Sequence, residues 1–239
     1  MRASMFAGIL VLASARFGEA DSSPKPARHD RVVVPAGPFA RGSVRGADDE
    51  RPVVVRALPL FRIDRTEVTR AMYAGCVAAR RCRPLALDLA EEPNLPVTKV
   101  NWNEARDFCA YAGGRLPTED EWEKAARGSS GRDYPWGNDL DCARANWGNF
   151  DNEGPCAGKN PGRPVAVGSY PQGASPYGVL DMAGNVWEWV ADKYNRDPSR
   201  RVVRGGSCCS YFVEPRAANR NAWDPSYRDA DLGFRCVSR

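Results

Sequence analysis

The sequence predicts an irregular α+β domain with two main helices, short strands and many ordered loops. Two segments combine helical spacing with cap residues, the β-branched runs are only a few residues long, and 22 Gly with 19 Pro punctuate the rest. At 43% hydrophobic, the chain of 239 residues can bury a core, and that length suits one domain.

Residues 1–20 read as an export signal. Arg2 precedes an apolar run from Met5 to Ala15, and Ala13-Ser14-Ala15 and Gly18-Glu19-Ala20 have small residues where a signal peptidase cuts. The run is too short to span a bilayer, so no transmembrane anchor is expected in the mature chain. Residues 21–31, polar and carrying Pro24 and Pro26, read as a linker. Its His29 reads as a solvated tail residue. The domain is expected over residues 32–239, opening on a strand at Val32-Val33-Val34, with a second β-rich stretch from Val53 through Ile63. Arg65 to Thr69 reads as a strand end leading into a helix, with Thr69 as N-cap and Met72, Tyr73 and Cys76 at helical spacing. The first main helix follows Val100. Asn101 or Asn103 caps it, Ala105, Phe108, Cys109 and Ala112 form its apolar face, and Gly113-Gly114 ends it. The second starts at Thr118, where Thr118-Glu119-Asp120-Glu121 is a capping-box pattern, and stops at Gly128. The next regular segment is Val186 to Val190.

Composition excludes several chemistries. The 34 Lys and Arg against 30 Asp and Glu are well mixed, which is not the concentrated basic face of a nucleic-acid binder. His29 is the only histidine, so neither a Ser-His-Asp nor a Cys-His apparatus is expected, nor a His-rich metal site. The eight cysteines stand at 76, 82, 109, 142, 156, 208, 209 and 236, without the paired spacing of a zinc ribbon. Behind an export signal an even count implies disulfides and a secreted or periplasmic location. Spacing alone leaves roughly a hundred full pairings open.

A series of motifs follows in fixed order. Val97 to Trp102 leads into Gly113-Gly114-Arg115-Leu116-Pro117-Thr118-Glu119, Glu121-Trp122-Glu123 and Ala125-Ala126-Arg127-Gly128. Tyr134-Pro135-Trp136-Gly137 and the run Tyr177 to Trp189 come next, then Arg204-Gly205-Gly206-Ser207 and Gly233-Phe234-Arg235-Cys236. Together they resemble the formylglycine-generating enzyme (sulfatase-modifying factor) family from Val32 to the C-terminus, and imply its C-type-lectin-like fold. Trp102, Trp122, Trp136, Trp187 and Trp189 supply large buried surfaces. Arg115, Arg127 and Arg204 read as loop pins that bond carbonyls or pair with Glu119, Glu121 or Glu188.

The resemblance also implies calcium at Asp181, Gly184, Val186 and Glu188, two carboxylates and two carbonyls that suit a hard ion. The competing reading of that loop is a network of Asp–Arg and Glu–Arg ion pairs. Asn146 matches the start of a second calcium site, but Cys142 and Cys156 bracket that loop, so a disulfide is expected as its staple. Because lectin-like folds return their last strand beside the early elements, Cys109–Cys236 is expected. Cys76–Cys82 and Cys142–Cys156 are expected to close local loops.

One departure bears on function. In the family's enzymes two cysteines separated by four residues follow the Arg-Gly-Gly-Ser motif and bind copper(I), for which soft thiolates are suited. Here Ser207 is followed by Cys208-Cys209, with Val213 and Glu214 where a second ligand would stand. Adjacent side chains in a strand point to opposite faces, so joint ligation would need a distorted turn. Two classes of function compete. One is a non-catalytic binding or accessory module whose surface, Tyr211, Phe212, Asn219, Asn221, Trp223, Asp224 and Tyr227, meets an unidentified protein or small molecule. The other is a formylglycine-generating or related metal-dependent oxidase, with Ser207, Cys208 and Cys209 as catalytic candidates and copper as its cofactor.

Overall fold

The computed structural model describes residues 29–148, 156, 161–210 and 215–239. Residues 1–20, read as an export signal, most of the expected linker, Tyr211 and Phe212 lie outside the described residues.

The first half is built from two strand pairs and three capped helices. Strand β1 (Arg31–Val34) pairs antiparallel with β4 (Phe61–Asp64), while β2 (Gly37–Arg41) pairs with β3 (Val54–Leu58). Helix α1 (Arg70–Ala78) starts at Thr69, whose side chain accepts the Met72 N–H. Asn101, not Asn103, caps α2 (Trp102–Tyr111), because Glu104 returns a bond to the Asn101 N–H and completes a capping box. Thr118 and Glu121 do the same for α3 (Glu119–Arg127), which Gly128 ends at φ 71°. The helix after Thr69 is as long as α3, so three helices rather than two carry the first half.

The regular structure of the second half is mostly sheet. Strands β5 (Trp187–Tyr194), β6 (Asp197–Arg204), β7 (Arg220–Trp223) and β8 (Leu232–Phe234) lie in the order β7-β6-β5-β8. β8 runs parallel to β5, with Trp187 opposite Leu232 and Trp189 opposite Phe234. The chain then crosses to add β9 (Val237–Ser238) beside β4. One core cluster packs α1 and α2 against β5 and β8, centred on Tyr73, Phe108, Trp189 and Phe234. A second packs α3 against β1, β4 and β6 around Trp122, Phe61 and Val202. Among the described residues no helix is long and apolar enough to cross a membrane.

The return of the chain end explains two local features. Gly114 sits where an added Cβ would meet the Val237 carbonyl oxygen at 2.3 Å, so only glycine lets α2's exit approach β9. Cys236, between β8 and β9, is bonded to Cys109 of α2 across 127 residues. The Cys76–Cys82 and Cys142–Cys156 bridges are present as expected.

His29 departs from its expected role. Its side chain is 7% exposed, with Nδ1 3.0 Å from the Asp64 carboxylate, and its ring lies beside Phe108. Asp64 also accepts Arg31 Nε, and the Arg65 N–H donates to the Asp30 carbonyl. The partners that draw His29 in are thus remote in sequence, and residues 29–31 belong to the fold rather than to a free linker.

Peptide mapping without reduction is expected to recover the three bridges. Replacing Cys109 and Cys236 together by Ala is expected to lower the unfolding free energy by about 2–5 kcal/mol, read from denaturant curves.

Candidate functional site

The motif Asp181 to Glu188 forms the bend that feeds β5. Asp181 and Asn185 both adopt φ 57°, and Gly184 adopts φ 81°. A Cβ on Gly184 would meet the Asn146 carbonyl oxygen at 2.3 Å, so this loop and the Asn146 segment pack backbone to backbone. Asn185 joins four segments. Its N–H donates to the Asn146 carbonyl and its Nδ2 to Glu67 Oε1, its Oδ1 accepts the Val165 N–H, and its carbonyl accepts the Cys208 N–H.

Next to this node lies a fully buried ion pair. Arg235 Nη2 and Nε donate to the two oxygens of Glu188, each at 2.7 Å, and Trp122 Nε1 donates to Glu188 Oε2 at 2.8 Å. Both side chains are 0% exposed. Burial works against the Arg235 charge, but Glu188 outweighs it and raises the guanidinium pKa above its ordinary value. Arg235 also bonds the carbonyls of Asp64 and Leu180. Glu188, expected as a calcium ligand, therefore has both oxygens engaged by a cation and an indole. Among the described residues no three His, Cys, Asp or Glu side chains converge as a metal site. Close by, Asp181 accepts the Gly168 N–H at 2.6 Å. Burial and then the Asp181 charge push the Glu67 carboxyl well above its usual range, and burial raises Asp181 too.

The other expected pins are in place. Arg204 bridges Glu119 and Glu123 at 2.6 and 2.8 Å and donates to the Ala217 carbonyl. Arg127 bonds Glu123 and the Gly42 and Arg132 carbonyls, and Arg115 grips Glu121. Trp122, Trp187 and Trp189 are buried, whereas Trp102 and Trp136 are half-buried.

Beyond Arg204 the chain turns at Gly205 (φ 97°) and Gly206 (φ 70°), and Cys208 and Cys209 occupy a turn rather than a strand. Their sulfurs converge to 2.6 Å. Ser207 is fully buried; its Oγ donates to Asp231 Oδ2 at 2.5 Å, lies 2.9 Å from Ser210 Oγ and accepts the Cys209 N–H. It locks the turn, with no histidine beside it to act as base. Trp187 Nε1 donates to Ser210 Oγ. Cys208 is buried, and its thiol pKa is raised first by the neighbouring Cys209 sulfur, then by burial and the Asp231 charge. Cys209 is half-buried and faces a cavity of about 300 Å³ lined with Gly162, Pro164 and Asp231.

The expected recognition surface is divided. Asn219 is 8% exposed and belongs to the interior. Asn221 and Asp224 are exposed. Trp223 stands edge-on to Trp187 and Trp189, and Tyr227, 40% exposed, covers Trp223. Sequence reasoning missed Glu67, Gly162 and Asp231; for Asp231 the available signal was its place just before the Gly233 to Cys236 motif.

The same architecture recurs in solved structures. Treponema denticola variable protein 1 superposes with a TM-score of 0.71 at 21% identity, over 87% of this chain and 94% of that one, a likeness of fold. PvdO from Pseudomonas aeruginosa gives 0.69 at 25% identity, over 87% of this chain and 93% of that one. Residues 16–239 match the family described as Sulfatase-modifying factor enzyme 1-like domain, and the chain belongs to that family. It is 32% identical to the formylglycine-generating enzyme of Streptomyces coelicolor, over 92% of this chain and 94% of that protein. It is 40% identical to the inactive C-alpha-formylglycine-generating enzyme 2 of Bos taurus over 63% of this chain, spanning about half (52%) of that protein's length.

Removing one partner of a buried ion pair strands the other charge. Glu188→Ala is therefore expected to lower stability by about 3–5 kcal/mol in urea unfolding, with or without added metal.

Proposed function

We propose that this domain is a binding or accessory module of the sulfatase-modifying factor family that does not generate formylglycine. The observation that carries this is the Cys208–Cys209 turn. Two metal–thiolate bonds of about 2.3 Å in line set their sulfurs roughly 4.6 Å apart, whereas these sulfurs stand at 2.6 Å. The pair therefore does not fit a copper(I) ion held between two thiolates. The 40% identity to a relative named as inactive supports the same reading. Three disulfides support passage through an oxidising compartment, secreted or periplasmic. The surface for a partner protein or small molecule is then Asn221, Trp223, Asp224 and Tyr227, an aromatic ledge edged by polar groups.

The alternative is the oxidase, and one assay separates them. Reduced, copper-loaded protein is given a sulfatase-type cysteine peptide and aldehyde formation is followed by mass spectrometry. No turnover by the folded protein is expected. Repeated turnover that disappears in Cys208→Ala or Cys209→Ala assigns catalysis to the pair instead.

We take Arg235, not calcium, as the staple of the Asp181 to Glu188 loop. Calcium at Asp181, Gly184, Val186 and Glu188 is the alternative, because ion and guanidinium compete for one carboxylate. Chelation is expected to leave the melting temperature unchanged. A calcium-dependent rise that Glu188→Gln abolishes would assign the metal, since an ion that binds only the folded state stabilises it by mass action.

A further inference from the structure

Six of the eight cysteines form three disulfides, and Cys208 and Cys209 are the two free thiols. Every other cysteine is already committed, so each has only the other as an intramolecular partner. The turn brings their sulfurs to 2.6 Å, between a disulfide bond of about 2.05 Å and ordinary van der Waals separation. Hydrogen bonds fix both ends of the turn. The Cys208 N–H donates to the Asn185 carbonyl, and the Cys209 N–H to Ser207 Oγ, itself tied to Asp231 and Ser210. Thus the turn that faces two neighbouring cysteine sulfurs toward each other is already in place.

The two thiols are unequal. Cys208 is buried, while Cys209 is half-buried, donates to the Gly162 carbonyl at 3.2 Å and lines the cavity of about 300 Å³. A second cavity of about 570 Å³, lined in part by Lys99 and Arg228, shares Asp229 and Ala230 with the first. The first alone leaves room for a group larger than one amino-acid side chain beside an accessible sulfur.

We infer that Cys208 and Cys209 form a thiol–disulfide exchange site, which takes an accessible disulfide, free or peptide-borne, into the cavity beside Cys209 and is itself left as a vicinal disulfide. The Cys209 thiolate attacks one sulfur of the incoming disulfide; a mixed disulfide forms and one thiolate leaves. Cys208 then loses its proton and attacks Cys209 Sγ, expelling the second thiolate. Two protein thiols are oxidised, one external disulfide is reduced to two thiols, and the protons lost by the cysteines end on the leaving thiolates. The order follows from exposure, since only Cys209 can meet an outside sulfur. The chemistry requires neither copper nor a formylglycine product.

The test equilibrates the full chain in glutathione buffers of rising oxidised fraction, then alkylates and maps it by mass spectrometry. The peptide holding Cys208 and Cys209 is expected to lose two hydrogens and both alkylation sites together. Reduced glutathione is expected to restore them while the other three bridges stay unchanged. In Cys208→Ser the reaction is expected to stop with one glutathione on Cys209, and Cys209→Ser is expected not to react. The wild-type readout holds even if a variant fails to fold. A folded wild type that stays doubly alkylated in excess oxidised glutathione would overturn the assignment, as would glutathione lodged on Cys208 or a bond from either thiol to another cysteine. Comparing oxidised glutathione with a disulfide-bonded peptide separates the two sources: faster reduction of the peptide assigns the larger substrate, and faster or equal reduction of glutathione the smaller.

Discussion

Arg235 enters the interior from the connection between β8 and β9 and meets Glu188 on β5, where neither side chain retains contact with water. Removing two charges from water is costly, and such a pair persists only when its remaining donors and acceptors are satisfied. Here Trp122 completes Glu188 from α3, and the Asp64 and Leu180 carbonyls complete Arg235. One interaction therefore joins α3, β5, the end of β4, the loop before β5 and the returning C-terminal segment. The position of β9 beside β4, the closeness of Gly114 to Val237 and the bridge from Cys236 to α2 all follow from a chain end anchored at that depth.

The pair belongs to a wider set of buried charges that substitutes for regular structure. Glu119 and Glu123 each meet Arg204, and Arg127 adds backbone carbonyls that no helix or strand satisfies. In a loop-rich domain, buried carbonyls still require donors. The planar guanidinium reaches several at once. Asn185 does the same work with its side-chain amide and its own backbone, holding the Asn146, Val165, Glu67 and Cys208 segments together. The rigidity of the turn after Gly206 is thus inherited from groups far from it in sequence. A loop so held can place two thiols with the accuracy usually found on helices and strands.

Much of this was legible in the chain. Thr69 and Thr118 announced their helices, and Asn101 or Asn103 a third, because capping is satisfied within a few residues of the cap. The tryptophans and arginines of the recurring motifs marked the core and its pins, and Cys142–Cys156 followed from two cysteines that close one short loop. The strands β6, β7 and β8 were not legible. Asp197 to Arg204 carries a polar first half, and β8 has only Leu232, Gly233 and Phe234, so their pairing is set by β5 rather than by local pattern.

Motifs kept in order carried the family, the α+β class and, through the fold that the resemblance implies, the Cys109–Cys236 pair, while local chemistry carried the helix starts at Thr69 and Thr118. Tertiary structure decided which acid Arg235 meets, that His29 is packed against Asp64 rather than solvated, and that Asn219 is interior while Trp223 and Tyr227 form a ledge. It also decided that Cys208 and Cys209 converge. Neighbouring residues in a strand would face apart, and only the positive-φ glycines before them, with Asp231 and Asn185 brought in from elsewhere, make the turn that turns both sulfurs to one side. Which groups share a buried space depends on long-range packing, and no spacing along the chain encodes it.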